Sequence, residues 1–333
     1  MFSIMMEELK VREANPSDQL AVIKIMEKSC GAKETNMYKF EHYVFGENVF
    51  CLLGEKTVND QDILVGFLLY YYTYSTWKGR CLLMEDIYVS PSDRRTGVAS
   101  VLLKKVLKIG LTMNCKRLNF QISQDNIPGS SFSFKYGARN LTLEENWHLF
   151  RMEQTAMNNM ANSCNTLPEC CKIRKAKLGD GSAIMKLILE LADYEKMPEG
   201  PQISYQILEA DGFGNKSFYE CYIAEKENTI VGYVLFFLTY NYEGKCLYME
   251  DLYVTPSHRG KGIGSSLWRI AIQYGLDNQC LRSEFSVLSW NTPSISFYNS
   301  KRAEDITKKE GIHFFRLNHN EMKMICSQEI SQE

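Results

Sequence analysis

The chain has 333 residues, 45% hydrophobic and 23% charged, and a formal net charge of −2. That length accommodates two ordinary domains, and the composition is typical of globular proteins that fold in water. The charge argues against nucleic-acid binding, which normally leaves a basic footprint. The most apolar run, Ile63 to Tyr74, is too short for a membrane span of about 20 residues.

The start of the sequence lacks the pattern of a targeting signal. Met1 to Lys10 has no basic region followed by an apolar core, so we expect no signal peptide. The eleven cysteines lack metal-ligand spacing. We therefore expect a cytoplasmic protein with reduced thiols in packing roles and no bound metal.

The elements of one domain are predicted twice in chain order. Strands are predicted at 10–13, 49–54, 64–73, 81–89, 117–123 and 147–152, and again at 172–175, 219–225, 230–239, 246–254, 282–289 and 312–317. Helices are predicted at 17–27 and 128–136, and again at 180–194 and 293–300, with a long helix after strands 81–89 and 246–254. A series of strands ahead of a βαβ-like portion implies a mixed sheet with helices on both faces, an α/β (α+β) fold.

The repetition is also visible residue by residue. Pairs separated by 165 positions are Glu85 and Glu250, Asp86 and Asp251, Arg94 and Arg259, Pro128 and Pro293, and Phe150 and Phe315. A constant separation over that length indicates two copies of one domain. We predict a first domain at 1–155, a linker at 156–170 and a second domain at 171–326. The asparagine-rich linker leaves open a second interpretation, an extra helix on the first domain.

A turn rich in glycine and positive charge follows strand 246–254. It reads Arg259-Gly260-Lys261-Gly262-Ile263-Gly264, and a helical pattern begins there. Glycines between a strand and a helix let backbone N–H groups turn toward a bound anion, and the helix N-terminus adds partial positive charge. The dinucleotide fingerprint and the P-loop pattern are both absent. The turn therefore predicts a pyrophosphate cradle.

This pattern, Arg-x-x-Gly-x-Gly after a hydrophobic strand, resembles the coenzyme A-binding motif of the GNAT acetyltransferases. Together with Tyr-Met-Glu-Asp-Leu-Tyr-Val (248–254), Trp-Asn-Thr-Pro-Ser-Ile-Ser-Phe-Tyr (290–298) and Leu-Glu-Ala-Asp-Gly-Phe-Gly (208–214), it makes the chain similar to the spermidine/spermine (diamine) N-acetyltransferases. The resemblance implies two tandem GNAT domains, acetyl-CoA as co-substrate and a small-molecule amine as acceptor. It places at the cofactor Leu252, Val254, Arg259, Gly260, Lys261, Gly262, Ile263, Gly264, Ser265, Asn291 and Ser294. Asn291 or Ser294 could instead cap a helix.

Two residues of the second repeat are candidates for proton transfer. Glu250 or Asp251 could take a proton from the amine, although adjacent residues point to opposite faces of a strand unless it is bulged. The resemblance favours Glu250 as the base. The spacing of Ile295 and Tyr298 is typical of a core helix face, whereas the resemblance implies that Tyr298 is the general acid.

The resemblance also implies an acidic and aromatic acceptor site. It assigns Glu195, Tyr242, Asp251 and Glu310 to that site. The second repeat has Asn241-Tyr242 where the family has Asp-Pro-Trp, and Ile312 where the family has Trp. Spermine-type selectivity therefore does not follow. The alternatives are a thialysine-like amino acid or an arylalkylamine as acceptor, or a non-catalytic acyl-CoA-binding module.

The first repeat departs from the catalytic pattern. It has Ser133 where the second has Tyr298, and one cradle glycine, Gly97. Lys33 and Lys39 would give it a basic rim. It keeps Trp77 and Trp147, which match the family tryptophans missing from the second repeat, and Glu145 at the position of Glu310. Because the family acts as homodimers with sites near the interface, we predict an intramolecular pseudo-dimer, which leaves open a homodimer of the whole chain.

Overall fold

The computed structural model describes residues 9–30, 48–163 and 167–328. Lys33 and Lys39, predicted to form a basic rim, lie outside the described residues. The strands are Leu9–Glu13 (β1), Phe50–Val58 (β2), Gln61–Ser75 (β3), Gly79–Val89 (β4), Arg117–Ser123 (β5), Arg139–Asn140 (β6), Trp147–Glu153 (β7), Cys171–Lys175 (β8), Glu220–Lys226 (β9), Thr229–Asn241 (β10), Gly244–Val254 (β11), Arg282–Leu288 (β12), Glu304–Asp305 (β13) and Ile312–Asn318 (β14).

The helices lie between these strands at the predicted places, with several additions. They are Gln19–Cys30 (α1), Val98–Thr112 (α2), Ile127–Lys135 (α3), Leu141–Glu144 (α4), Gln154–Ala161 (α5), Gly181–Tyr194 (α6), Tyr205–Phe213 (α7), Ile263–Asp277 (α8), Thr292–Asn299 (α9), Ile306–Glu310 (α10) and His319–Ser327 (α11). Short 3-10 turns precede α1, α2 and α8. Within the described ranges, no helix has the length and apolar character needed to cross a membrane.

The strands form two seven-stranded mixed sheets, which confirms the predicted fold class. The first sheet has the order β1-β2-β3-β4-β5-β14-β6, and the second has the order β13-β7-β12-β11-β10-β9-β8. Each sheet therefore contains one long strand from the other repeat: β7 pairs antiparallel with β12, and β14 with β5. We call this arrangement the strand exchange.

The final strand of each repeat, predicted at 147–152 and 312–317, thus lies in the sheet of the other repeat. The exchanged strands carry the same core residue at the same repeat position. Phe150 of β7 stacks on Phe285 with ring centroids 5.9 Å apart, and Phe315 of β14 stacks on Phe120 at 5.7 Å. Because the two strands present matching side chains, local sequence cannot distinguish pairing within a repeat from pairing between repeats.

Helix α5 follows β7 across to the second repeat. It occupies the first residues of the predicted linker and packs on α8. Its buried residues Ala156, Met157 and Met160 fall on one helix face and join the core of the second repeat. The helical interpretation of this stretch is therefore the observed one, but the helix covers the second repeat rather than the first.

The two central strands of the second sheet, β11 and β12, pair with each other over only part of their length. Strands β11 and β12 run parallel and pair from Cys246 with Arg282 to Met249 with Phe285. Beyond Met249 both strands continue, to Val254 and Leu288, without pairing to each other. A cleft therefore opens between them, directly before the glycine-rich turn.

Candidate active site

A bulge in β11 places two adjacent acids in one space. Leu235 of β10 pairs with Asp251 while Phe236 pairs with Met249, so Glu250 is an extra residue in the ladder. Such a bulge re-aims a side chain that would otherwise point to the opposite face. Both Glu250 and Asp251 consequently line the same cavity. In a regular strand the two side chains would point to opposite faces, so this arrangement requires the bulge.

The cleft between β11 and β12 opens into a cavity of about 610 Å³. This volume lies within the usual range of small-molecule sites, about 300–1,000 Å³. Of the residues predicted from sequence, those that line it are Glu195, Glu250, Asp251, Leu252, Val254, Arg259, Gly260, Gly262, Ile263, Gly264, Ser265, Asn291, Ser294 and Tyr298. The cradle, the acids and the phenol therefore share one space.

The turn between β11 and α8 has the backbone of an anion cradle. Gly260 and Gly262 have φ angles of 72° and 80°, where a residue with a Cβ is strained. Gly262 is also the N-cap of α8, so free N–H groups of the helix face the turn. Among the described residues, no heavy atom other than those of Gly260 and its two chain neighbours lies within 4 Å of the position that a Cβ on Gly260 would take. These residues fit the pyrophosphate of coenzyme A, which a turn of this kind binds through N–H groups.

The two cations of the cradle are held differently. Arg259 Nε donates to the carbonyl oxygen of Val254 at 2.8 Å, and its guanidinium lies 5.1 Å from the centre of the Tyr194 ring. Arg259 lines the cavity. Lys261 Nζ donates to the carbonyl oxygen of Ser257 at 2.9 Å, and Lys261 does not line the cavity wall.

Three carboxyl groups line the cavity and interact with one another. Burial first, and Asp251 second, raise the pKa of Glu250 to about 8. Burial raises the pKa of Asp251, whose carboxylate accepts a hydrogen bond from the Tyr233 hydroxyl at 2.6 Å. Burial, followed by the charges of Asp251 and Glu250, raises the pKa of Glu195 well above its ordinary value. A cationic amine would relieve this repulsion, and a base that titrates near neutral pH suits proton abstraction.

Tyr298 is both a core residue and part of the cavity wall. Its ring lies 4.4 Å from that of Phe285 and 5.1 Å from that of Trp268, centre to centre. Burial raises the pKa of Tyr298 above its ordinary value, so the phenol stays protonated at neutral pH. The packing interpretation and the chemical interpretation of this residue are thus compatible.

Asn291 is the N-cap of α9, the helix-capping role that the sequence left open beside cofactor contact. Its Oδ1 accepts hydrogen bonds from the backbone N–H of Ser294 at 3.3 Å and from the Tyr194 hydroxyl at 3.1 Å. Asn291 and Ser294 also line the cavity. The cap therefore fixes the start of the helix that carries Tyr298.

Part of the cavity lining comes from the first repeat, which the sequence analysis missed. The loop after β3 supplies Thr76 and Trp77, and β7 supplies Trp147. The tryptophans absent from the second repeat are therefore present at its site, contributed by the other repeat. Arg117 of β5 and Arg316 of the exchanged strand β14 line the cavity beside them. Only the offset of 165 residues, combined with the strand exchange, could have identified these positions.

Two predicted acceptor residues lie outside this cavity. Glu310 lies 3.5 Å from Arg151, and the Tyr242 hydroxyl donates to the Asp86 carboxylate of the first repeat. Neither lines the cavity of about 610 Å³. Glu310 directly precedes the exchanged strand β14, whereas Tyr242 lies in the hairpin turn between β10 and β11. Glu145, the counterpart of Glu310, is the one that neighbours Trp147, whose Nε1 donates to it at 3.3 Å.

The corresponding place in the first repeat has a different composition. Ser133, at the position of Tyr298, donates to the carbonyl oxygen of Gly129 at 2.9 Å, a bond within its own helix. Glu85, at the position of Glu250, is the extra residue of a matching bulge. It lines a cavity of about 200 Å³ together with Arg282 and Glu284. Burial first, and Glu284 second, raise the pKa of Glu85 to about 8.

Comparison with solved structures extends over both repeats. A tandem GNAT protein from the clavulanic acid biosynthesis pathway superposes with a TM-score of 0.52 at 13% identity, covering 94% of this chain and 99% of its own. At that identity the likeness concerns the fold alone.

Sequence relatives match about one repeat. A thialysine N-epsilon-acetyltransferase of Bos taurus is 39% identical over 163 residues, 46% of this chain and 96% of the relative. A human spermidine/spermine N(1)-acetyltransferase-like protein 1 is 37% identical over 159 residues, 45% of this chain and 23% of the relative. The model of the acetyltransferase (GNAT) family matches residues 19–132 and again 184–303. The chain therefore belongs to the GNAT acetyltransferase family, as a tandem member similar to the thialysine and spermidine/spermine acetyltransferases.

Proposed function

We propose that the chain transfers the acetyl group of acetyl-CoA to a primary amine of a diamine-like small molecule, at one site in the second repeat. The observation that carries this proposal is the cavity that unites the glycine cradle, Glu250 and Tyr298. In the reaction, the amine nitrogen forms a bond to the thioester carbonyl carbon and the carbon–sulfur bond breaks. Glu250 would take the proton that the nitrogen loses, and Tyr298 would give a proton to the departing sulfur.

The state of both groups supports these roles. Glu250, with a pKa raised to about 8, is partly deprotonated near neutral pH and holds its proton firmly once it has accepted it. Tyr298, with a raised pKa, is a protonated donor throughout that range. Matching the pKa of a base to the working pH is the usual condition for efficient general catalysis.

The acceptor class is supported by the charge of the wall. Glu195, Glu250 and Asp251 line one cavity, and a protonated amine would be attracted to them. Trp77 and Trp147 supply the aromatic faces that favour cations. Diamines and thialysine-like amino acids both present such an amine, in agreement with the names of the relatives.

The second repeat is proposed as the catalytic one because the first lacks the acid. Ser133 stands at the position of Tyr298 and bonds within its own helix. The first repeat would then contribute the acceptor wall to its partner repeat, in an intramolecular pseudo-dimer. The exchanged strands support this arrangement.

Replacing Tyr298 by Phe tests the mechanism. The ring and its packing remain while the proton donor is lost, so turnover should fall by about 10²–10⁴-fold with the affinity for acetyl-CoA retained. Ser133→Ala is the matched control and should leave turnover unchanged. Steady-state kinetics with a panel of amines gives both values. Turnover of Tyr298→Phe within a factor of two of the unaltered protein, at saturating substrates, would make Tyr298 a packing residue.

A further inference from the structure

Two arginines line the cavity from adjacent strands of the first sheet, one strand from each repeat. Arg117 on β5 is 8% exposed, and Arg316 on β14 stands in the neighbouring exchanged strand. Arg117 Nη1 donates to the Ser75 hydroxyl at 3.2 Å, and Arg316 Nε donates to Asn119 Oδ1 at 3.0 Å. All of these residues line the cavity that contains Glu250.

The equivalent pair in the other half of the molecule is neutralised. Arg282 and Arg151 lie 165 residues from Arg117 and Arg316, and β7 pairs with β12 as β14 pairs with β5. There Glu284 lies 2.9 Å from Arg151 and 3.0 Å from Arg282. The residue at the position of Glu284 is Asn119, which carries no charge.

The Arg117 and Arg316 pair is thus left with excess positive charge. Among the described residues, neither guanidinium has a carboxylate partner within 4.0 Å. Glu145 and Glu250 interact electrostatically with both arginines, but only from beyond 4.0 Å. Glu145 itself lies 3.1 Å from Arg139. Burial first, and the charge of Arg117 second, lower the pKa of Arg316 to about 9. Two cations on adjacent strands, one buried and one half-buried, are costly unless an anion joins them.

We propose that Arg117, Arg316 and Asn119 form a subsite for the carboxylate of the acceptor, so that the acceptor is an amino acid with a side-chain amine rather than a polyamine. This inference rests on the proposed acetyl transfer. The amine lies beside Glu250 and the acidic cluster, and the carboxylate lies between the two guanidinium groups. Planar guanidinium forks match a carboxylate geometrically. A polyamine would bring a second ammonium against two buried cations.

A matched set of acceptors tests the subsite. Lysine is compared with 1,5-diaminopentane, ornithine with 1,4-diaminobutane, and thialysine with its decarboxylated amine, so that each pair differs by the carboxylate alone. The measured quantity is the ratio of kcat/KM for the amino acid to kcat/KM for the diamine. We expect the unaltered protein to favour the amino acid in at least one pair.

Three substitutions should lower that ratio. Arg117→Gln and Arg316→Gln remove one charged donor each, and hydrogen bonds to charged groups correspond to about 10–100-fold. Asn119→Glu supplies the carboxylate that the other half already has, and should lower the ratio by a similar factor while leaving both arginines in place. Arg151→Gln, in the neutralised pair, is the control and should leave the ratio unchanged.

Several outcomes would overturn the proposed carboxylate subsite. One is a ratio of kcat/KM values that is unaltered in all three variants. Another is a preference of the unaltered protein for the diamine in every pair. A raised KM for acetyl-CoA with a constant ratio would assign the arginines to a phosphate of the cofactor. If no amine were acetylated, the proposed function would fail. Calorimetric titration of lysine and 1,5-diaminopentane in the presence of coenzyme A would then still test the subsite, and equal affinities would overturn it.

Discussion

Glu85 and Glu250 show how the same residue in the two repeats acquires different surroundings. Both are the extra residue of a bulge, and burial raises the pKa of each to about 8. Glu250 faces the cavity of about 610 Å³ with the cradle and Tyr298, whereas Glu85 faces a cavity of about 200 Å³ beside Arg282. Each is half-buried by surface area, but the exposed part meets a cavity rather than bulk solvent.

Replacing Glu250 by Gln should change the pH profile of catalysis. Because its pKa is about 8, the deprotonated, active fraction of the base grows as pH rises, and kcat/KM of the unaltered protein should increase through pH 8. In Glu250→Gln this rise of kcat/KM with pH should disappear, with kcat/KM at high pH reduced by about 10²–10⁴-fold. In Glu85→Gln the rise should remain. A profile of Glu250→Gln with the original shape and height would remove Glu250 from the mechanism.

The raised pKa of Glu85 allows a test based on the pH dependence of protein stability in the variant Glu85→Gln. A carboxyl whose folded-state pKa is raised contributes stability that is present at low pH and lost as pH rises through about 8. Gln has no proton to lose, so above pH 8 this variant should be more stable than the unaltered protein, with Tm higher by about 2 °C or more. Thermal unfolding at pH 6 and pH 9 measures the difference.

At the scale of elements, hydrophobic periodicity and turn residues were sufficient to predict most strands and helices. The cradle was predicted from its glycines, and β11 from its apolar run. Helix α7 was missed because its buried residues, Leu208 and Asp211, include an acid, and so lack a clear apolar stripe. The bulge at Glu250 could not be predicted, since it depends on the register between β10 and β11 rather than on either strand alone.

The two cradles provide a matched pair of substitutions. Gly97 and Gly262 both have positive φ, 91° and 80°, and both are helix N-caps. Valine is strained in that conformation at either position, so both variants should lose similar stability. Gly262→Val should abolish acetyl-CoA binding and turnover because its side chain would enter the space proposed for the pyrophosphate. Gly97→Val should retain turnover. Calorimetric titration and kinetics well below Tm measure both, and equal losses would indicate two working sites.

At the scale of the whole molecule, the repeats are joined by more than the exchanged strands. Arg80 Nε donates to Asp211 of the other repeat at 2.8 Å, and the backbone N–H of Gln202 donates to the carbonyl oxygen of Trp77 at 2.7 Å. Tyr240 of the second repeat is buried in the core of the first. The sequence indicated two nearly complete copies, but which copy supplies each wall depends on long-range pairing that no local pattern encodes.

The most direct test of the proposed composite site is the activity of residues 168–333 alone, measured together with sedimentation. This fragment lacks β7, Trp77, Trp147 and Arg117, and its own β14 has no partner strand. We expect it to self-associate or precipitate, since exposed apolar surface drives association, and to have little activity. Refolding it with residues 1–167 should give a one-to-one complex with activity restored. A soluble monomeric fragment with full turnover per site would contradict the account.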